Sequence, residues 1–153
     1  EGASLEEAAQ YLEDTKLHLC HWFTVDDLHQ LKRGGRISGA TALIGTMLNI
    51  KPVLHVDNEG KLINMSKARG RRASIDAMAA KVGQTGIDPG NQVFFISHGD
   101  CLEDAKYLAD SLRRTYHPKD VVIGYVGPVI GAHTGPGVVG VSFIARDGES
   151  PQK

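Results

Sequence analysis

Asn58-Glu59-Gly60 lies between residues 50–57 and 61–67, and this short segment constrains the fold more than any other part of the chain. Asn and Gly accept the positive φ that a tight turn demands, so the flanking runs read as a β-hairpin with antiparallel strands. A second pattern adds a different kind of unit. Pro89-Gly90 punctuates a strand over 92–97, followed by a helix over 101–116 and a strand over 120–126. A hairpin combined with strand-helix-strand units argues for a mixed sheet with helices packed on it, rather than a purely doubly wound fold.

The remaining elements fit that frame. Ser4 followed by Glu7 reads as a capping box opening a helix over 4–16. In a strand over 17–25, Leu17, Leu19, His21 and Phe23 share one face and His18, Cys20, Trp22 and Thr24 the other. A short helix over 26–33 has Asp26 and Asp27 at its positive end and a left-handed exit at Gly34-Gly35. Residues 38–49 carry Leu43, Ile44, Met47 and Leu48 at helical spacing among small residues. A helix follows Arg69-Gly70 to about residue 84, and a last strand over 137–146 is reached through a loop over 129–136. The expected fold is α/β of the mixed α+β kind, with a mixed sheet of five to six strands.

Bulk properties exclude several functions. With 153 residues, 41% hydrophobic, 23% charged and a formal net charge of −1, the chain has one domain's size and no basic excess to attract nucleic acid. Cys20 and Cys101 are far apart and outside any CxxC spacing, and no HxH or HExxH occurs, so neither metal nor disulfide framework is suggested. A reducing cytoplasm fits this usage. No apolar run approaches the roughly 18 residues needed to span a bilayer, and the acidic opening lacks the regions of a signal peptide. The chain starts with Glu rather than Met, which reads as processing or as a piece of a longer protein.

Three places can carry chemistry. Lys32, Arg33 and Arg36 cluster between a helix end and the next helix start, where amides and a guanidinium can hold an anion; the alternative is that Lys32 and Arg33 offset the helix dipole. Lys67, Arg69, Arg71 and Arg72 stand where a strand gives way to a helix, and either converge on an anion or form a solvated charge cluster. His133 sits in the segment Gly131-Ala132-His133-Thr134-Gly135-Pro136-Gly137, where an imidazole can donate to a carboxylate or the glycines simply shape the backbone. Ser97-His98-Gly99-Asp100 is no catalytic triad, because adjacent strand residues point to opposite faces. Asp100 reads as a helix cap and His98 as structural.

With these residues in view, the chain resembles the DegV family. The match runs through Phe23-Thr24-Val25-Asp26-Asp27-Leu28-His29-Gln30-Leu31-Lys32-Arg33-Gly34-Gly35-Arg36-Ile37-Ser38, then Leu48-Asn49-Ile50-Lys51-Pro52-Val53-Leu54, Lys67-Ala68-Arg69, and the run from Val126 to Gly137. The resemblance implies a carrier, not an enzyme, with a long-chain fatty acid as ligand and no cofactor. The family has two domains, with the acyl chain in an apolar tunnel and the carboxylate near the domain junction. Residues 1–16 then correspond to the end of an absent amino-terminal domain or the inter-domain connection, and 17–153 to the carboxy-terminal domain. It further implies presentation of the fatty acid to an ATP-dependent fatty acid kinase that forms an acyl phosphate. His133, Arg69 and Arg36 become the residues for the head group or for kinase docking. Ile37, Leu43, Met47, Leu48, Val53 and Leu54 become a possible acyl-chain wall. A protein-interaction module docking a kinase without its own ligand is the alternative, and a small hydrolase or nucleotide-binding enzyme the third.

Overall fold

The computed structural model describes residues 2–38 and 49–146. Among them, α1 (Leu5–Thr15) begins at Ser4, whose hydroxyl accepts from Glu7 N while the Glu7 carboxylate accepts from Ser4 N, closing the expected capping box. β1 (Leu19–Thr24) and α2 (Leu28–Arg33) follow, then β2 (Ile50–Val56) and β3 (Leu62–Arg69). α3 (Arg71–Thr85), β4 (Val93–His98), α4 (Leu102–Tyr116), β5 (Asp120–Tyr125), α5 (Pro128–Thr134) and β6 (Val139–Ile144) complete the described elements. The helix expected over 38–49, with Leu43, Met47 and Leu48, lies outside the described residues.

The strands form one mixed sheet of six, in the order β3-β2-β1-β6-β4-β5. Among the described strands only β4 and β5 pair in parallel, across the α4 crossover that parallel neighbours require. The β2–β3 hairpin turns as expected, but its chemistry differs. Asp57 Oδ1 accepts from the amides of Glu59 and Lys61, and Gly60 alone in the turn takes positive φ, at 77°. The side chain of Asp57 thus does the ordering that the sequence assigned to Asn58.

Two expectations change near the carboxy-terminal half. The loop over 129–136 is mostly helix α5: Pro128 presets φ in the first turn, Gly131 N donates to Gly127 O at 2.9 Å, and Thr134 Oγ1 donates to Ile130 O at 2.8 Å. Its glycines read as loop because a single short turn gives no periodicity. Asp100 does not cap α4; it adopts φ of 54°, and Cys101 N instead donates to Nδ1 of buried His98 at 3.3 Å.

Among the described residues, the sheet's two faces are unequally covered. α3 and α4 pack on one face over a core that includes Trp22, Val53, Ile75, Met78, Phe94, Leu108 and Phe143. The opposite face carries a small cluster of Val25, Leu28, Leu31, Leu54 and Val138 beneath α2. Phe94 is fully buried, with the rings of Tyr116 and Phe143 edge-on at 6.5 and 6.3 Å. Phe94→Ala is expected to cost about 3–5 kcal/mol, read as a lowered urea midpoint at unchanged slope. A loss below about 1 kcal/mol would contradict this placement of the core.

Candidate functional site

Thr24 and His98 both pair with Val139, so β1 and β4 end, and β6 begins, at the same edge of the sheet. α2 leaves β1 there and α5 reaches β6 there. The two short helices meet where Gln30 Nε2 donates to Ala132 O at 3.0 Å. Beside them, on the face that carries α2, lies an open groove of about 340 Å³. Phe23, Leu31, Leu62, Val126, Ile130 and Val138 give it apolar walls, and Arg36 and His133 line it too.

Arg36 and His133 are 97 positions apart, yet Arg36 Nη2 lies 3.2 Å from His133 Nε2. A guanidinium only donates, so Nε2 is the acceptor and the imidazole proton sits on Nδ1. Arg36 Nη1 donates to Gly34 O at 2.9 Å, which leaves further guanidinium protons for an anion. A second polar pair lies on the groove's floor, where His21 Nδ1 is 2.8 Å from Ser142 Oγ. Burial holds the His21 imidazole below its ordinary value, and burial is the largest cause of the same lowering at His55, whose ring lies against Trp22.

The basic cluster after β3 does not converge on one anion site. Arg71 Nε donates to Asp104 Oδ2 at 2.8 Å, its Nη2 donates to Gly137 O at 2.7 Å, and its Nη1 lies 3.7 Å from Asp26 Oδ1. The Arg72 guanidinium stacks 3.9 Å above the Tyr107 ring. Arg71 is therefore a structural tie. Cys101 is no nucleophile either: its thiol donates to Val138 O at 3.1 Å, and burial pushes its pKa up. Among the described residues no group of three or more His, Cys, Asp or Glu side chains could hold a metal ion, and no helix is long and apolar enough to cross a membrane.

A family model described as "Uncharacterised protein, DegV family" matches residues 1–146. The chain belongs to the DegV family. A DegV domain-containing protein of Clostridium perfringens is 46% identical over 144 residues, which cover 94% of this chain and 50% of that protein. The chain thus spans about half the length of the curated relatives it matches. A DegV protein of Thermus thermophilus, described for its fatty acid binding, is 31% identical with a TM-score of 0.77 over 95% of this chain and 52% of its own. A DegV protein of Eubacterium eligens loaded with heptadecanoic acid shares the fold at a TM-score of 0.84 and 21% identity, over 95% of this chain and 52% of its own.

Within this DegV fold the residues singled out from sequence separate. Arg36 and His133 come together at the groove. Arg69 ends β3, paired with Ile50 at the same edge of the sheet; it is exposed and does not line the groove. Ile37 and Leu54 belong to the apolar cluster on the groove's side of the sheet. Val53 turns to the opposite face, into the core under α3 and α4. Adjacent strand residues alternate faces, so Val53 and Leu54 cannot line one wall. Leu43, Met47 and Leu48 lie outside the described residues. Sequence reasoning missed Phe23, Leu62, Val126 and Val138 as walls. Alternation places Phe23 on a strand face without telling which face carries a groove.

Two measurements test this assignment of roles. Arg71→Met is expected to lower unfolding free energy by about 2–3 kcal/mol, because it strands Asp104 and the Gly137 carbonyl; unchanged urea stability would remove it as a tie. The histidines set a pH dependence. With folded values of His21 and His55 below the unfolded 6.5, stability is complete above that pH and is lost as pH falls through the folded values. Urea titrations between pH 8 and 5 should show this decline, reduced in His21→Gln; an equal decline in the variant would exclude His21 as its source.

Proposed function

We propose that this chain forms the acyl-binding half of a DegV carrier for a long-chain fatty acid, with the carboxylate at Arg36 and His133 and the chain along the apolar groove. The observation that carries this reading is the junction of an apolar groove with a guanidinium-imidazole pair. Each methylene withdrawn from water contributes roughly 0.8 kcal/mol, so a long chain has ample drive to enter such walls. The guanidinium offers charge-assisted hydrogen bonds to the carboxylate end. Fatty acid binding by the Thermus thermophilus relative supports the same reading.

The carrier role extends to presenting the carboxylate to an ATP-dependent fatty acid kinase, which forms the acyl phosphate, while this protein supplies no catalytic group. Arg36 is exposed at the groove and Arg69 is exposed at the same edge of the sheet, an arrangement suited to contact by a partner. α1 buries none of its residues, and Leu5, Tyr11 and Leu12 are 81%, 63% and 66% exposed. That face supports reading residues 1–16 as the connection to the other half of the full DegV protein.

Native mass spectrometry followed by organic extraction is the direct test, and a released fatty acid in near-stoichiometric amount is the expected result. Arg36→Ala should weaken binding of oleate about tenfold or more, the loss of one charge-assisted contact, and His133→Ala should also weaken it by releasing the guanidinium that its Nε2 holds, each with little change in melting temperature. A large stability loss with intact lipid handling would exclude the head-group role. Failure to bind any fatty acid, even after the amino-terminal half is added, would overturn the carrier reading in favour of a docking module.

A further inference from the structure

We propose that Gly34 is the positioning residue of the Arg36–His133 pair, a role that rests on the head-group reading above and explains why two consecutive glycines follow α2. Their backbones differ. Gly35 has φ of 69°, a left-handed conformation that L side chains rarely adopt. Gly34 has φ of −75° and ψ of 0°, a region open to any residue. Backbone geometry therefore accounts for glycine at 35 and leaves glycine at 34 without a conformational reason.

The reason is steric and lies across the groove. A β-carbon on Gly34 would overlap His133 Nδ1 and come within 3.4 Å of both Cε1 and Cγ of the same ring. The imidazole occupies the space a side chain at 34 would fill. Gly34 also supplies the carbonyl that accepts from Arg36 Nη1 at 2.9 Å. One residue thus seats both partners of the 3.2 Å contact between Arg36 Nη2 and His133 Nε2. The seat is held on both sides. Gly34 N donates to Gln30 O at 3.0 Å, while the Gln30 side chain holds Ala132 O, next to His133, at 3.0 Å. Arg33 Nη2 donates to Gln30 Oε1 and keeps that amide oriented. The His133 ring ends a side chain with two free torsions, so it moves before the backbone does when the space is filled.

The test is a set of variants in the purified protein, with ¹⁵N resonances of the His133 ring and displacement of a fluorescent long-chain fatty acid by oleate as readouts. Gly34→Ala is expected to move the His133 ring nitrogens away from the Nδ1–H tautomer pattern and to weaken oleate binding about fivefold or more. Its melting temperature should stay near that of the parent, whereas Gly35→Ala loses about 4 °C through backbone strain alone. In the His133→Ala background, Gly34→Ala should add no further loss of binding. Unchanged His133 resonances in Gly34→Ala, or an equal added loss without His133, would overturn the proposal. Shifted resonances with unaltered oleate affinity would uphold the positioning role and remove the head-group reading instead. Should Gly34→Ala fail to fold, recovery of folding in Gly34→Ala/His133→Ala supports the steric seat, and no recovery refutes it.

Discussion

Arg71 ties together the four segments on which the groove depends. Standing at the first position of α3, it pairs with Asp104 in the first turn of α4, holds the Gly137 carbonyl between α5 and β6, and approaches Asp26 between β1 and α2. Lys51 adds a second cation to Asp26, at 2.9 Å. The Arg71 and Asp104 side chains are 18% and 24% exposed, so their attraction is less screened than that of a surface pair. The two turns that launch α2 and receive α5 are thereby referenced to the helices of the opposite face. Close packing reinforces this, since a β-carbon on Gly137 would overlap the Asp26 carboxylate.

From that anchoring follows an unequal division of labour between the sheet's faces. The face under α3 and α4 carries the larger apolar core, and its alternation is regular: Phe94, Ile96 and His98 are buried while Phe95 and Ser97 are exposed. Among the described residues, the other face carries a small apolar cluster near α2. A sheet with both faces sealed would have no room for a long apolar ligand. A sheet with one face wholly open would offer no walls. Among the described residues, two short helices cross one end, Arg36 and His133 meet beside them, and the His21–Ser142 pair lies on the floor.

The Arg36–His133 contact illustrates how such a fold assembles a polar site from remote parts of the chain. Neither residue is held by its own element alone. Arg36 lies beyond the end of α2 and leans on the Gly34 carbonyl, while His133 is in the last turn of a seven-residue helix. The contact between them spans the α2–α5 junction.

Much of this was legible in the residues. The capping box at Ser4 and Glu7, the hairpin turning at residues 58–60, the crossover helix and the mixed sheet all follow from short-range rules, because caps, turns and periodicity act over a few residues. Motif resemblance brought out Arg36 and His133 as candidates. What sequence could not supply was partnership. Arg69, Arg71 and Arg72 look alike in a string, and only the fold assigns one to solvent, one to Asp104 and one to the Tyr107 ring. Likewise Val53 and Leu54 are equally apolar, and the tertiary structure decides which faces helices and which faces the groove's side. Local elements are set by interactions between near neighbours in the chain. The groove and its polar pair are set by contacts between residues about a hundred positions apart, which exist only once the sheet has closed.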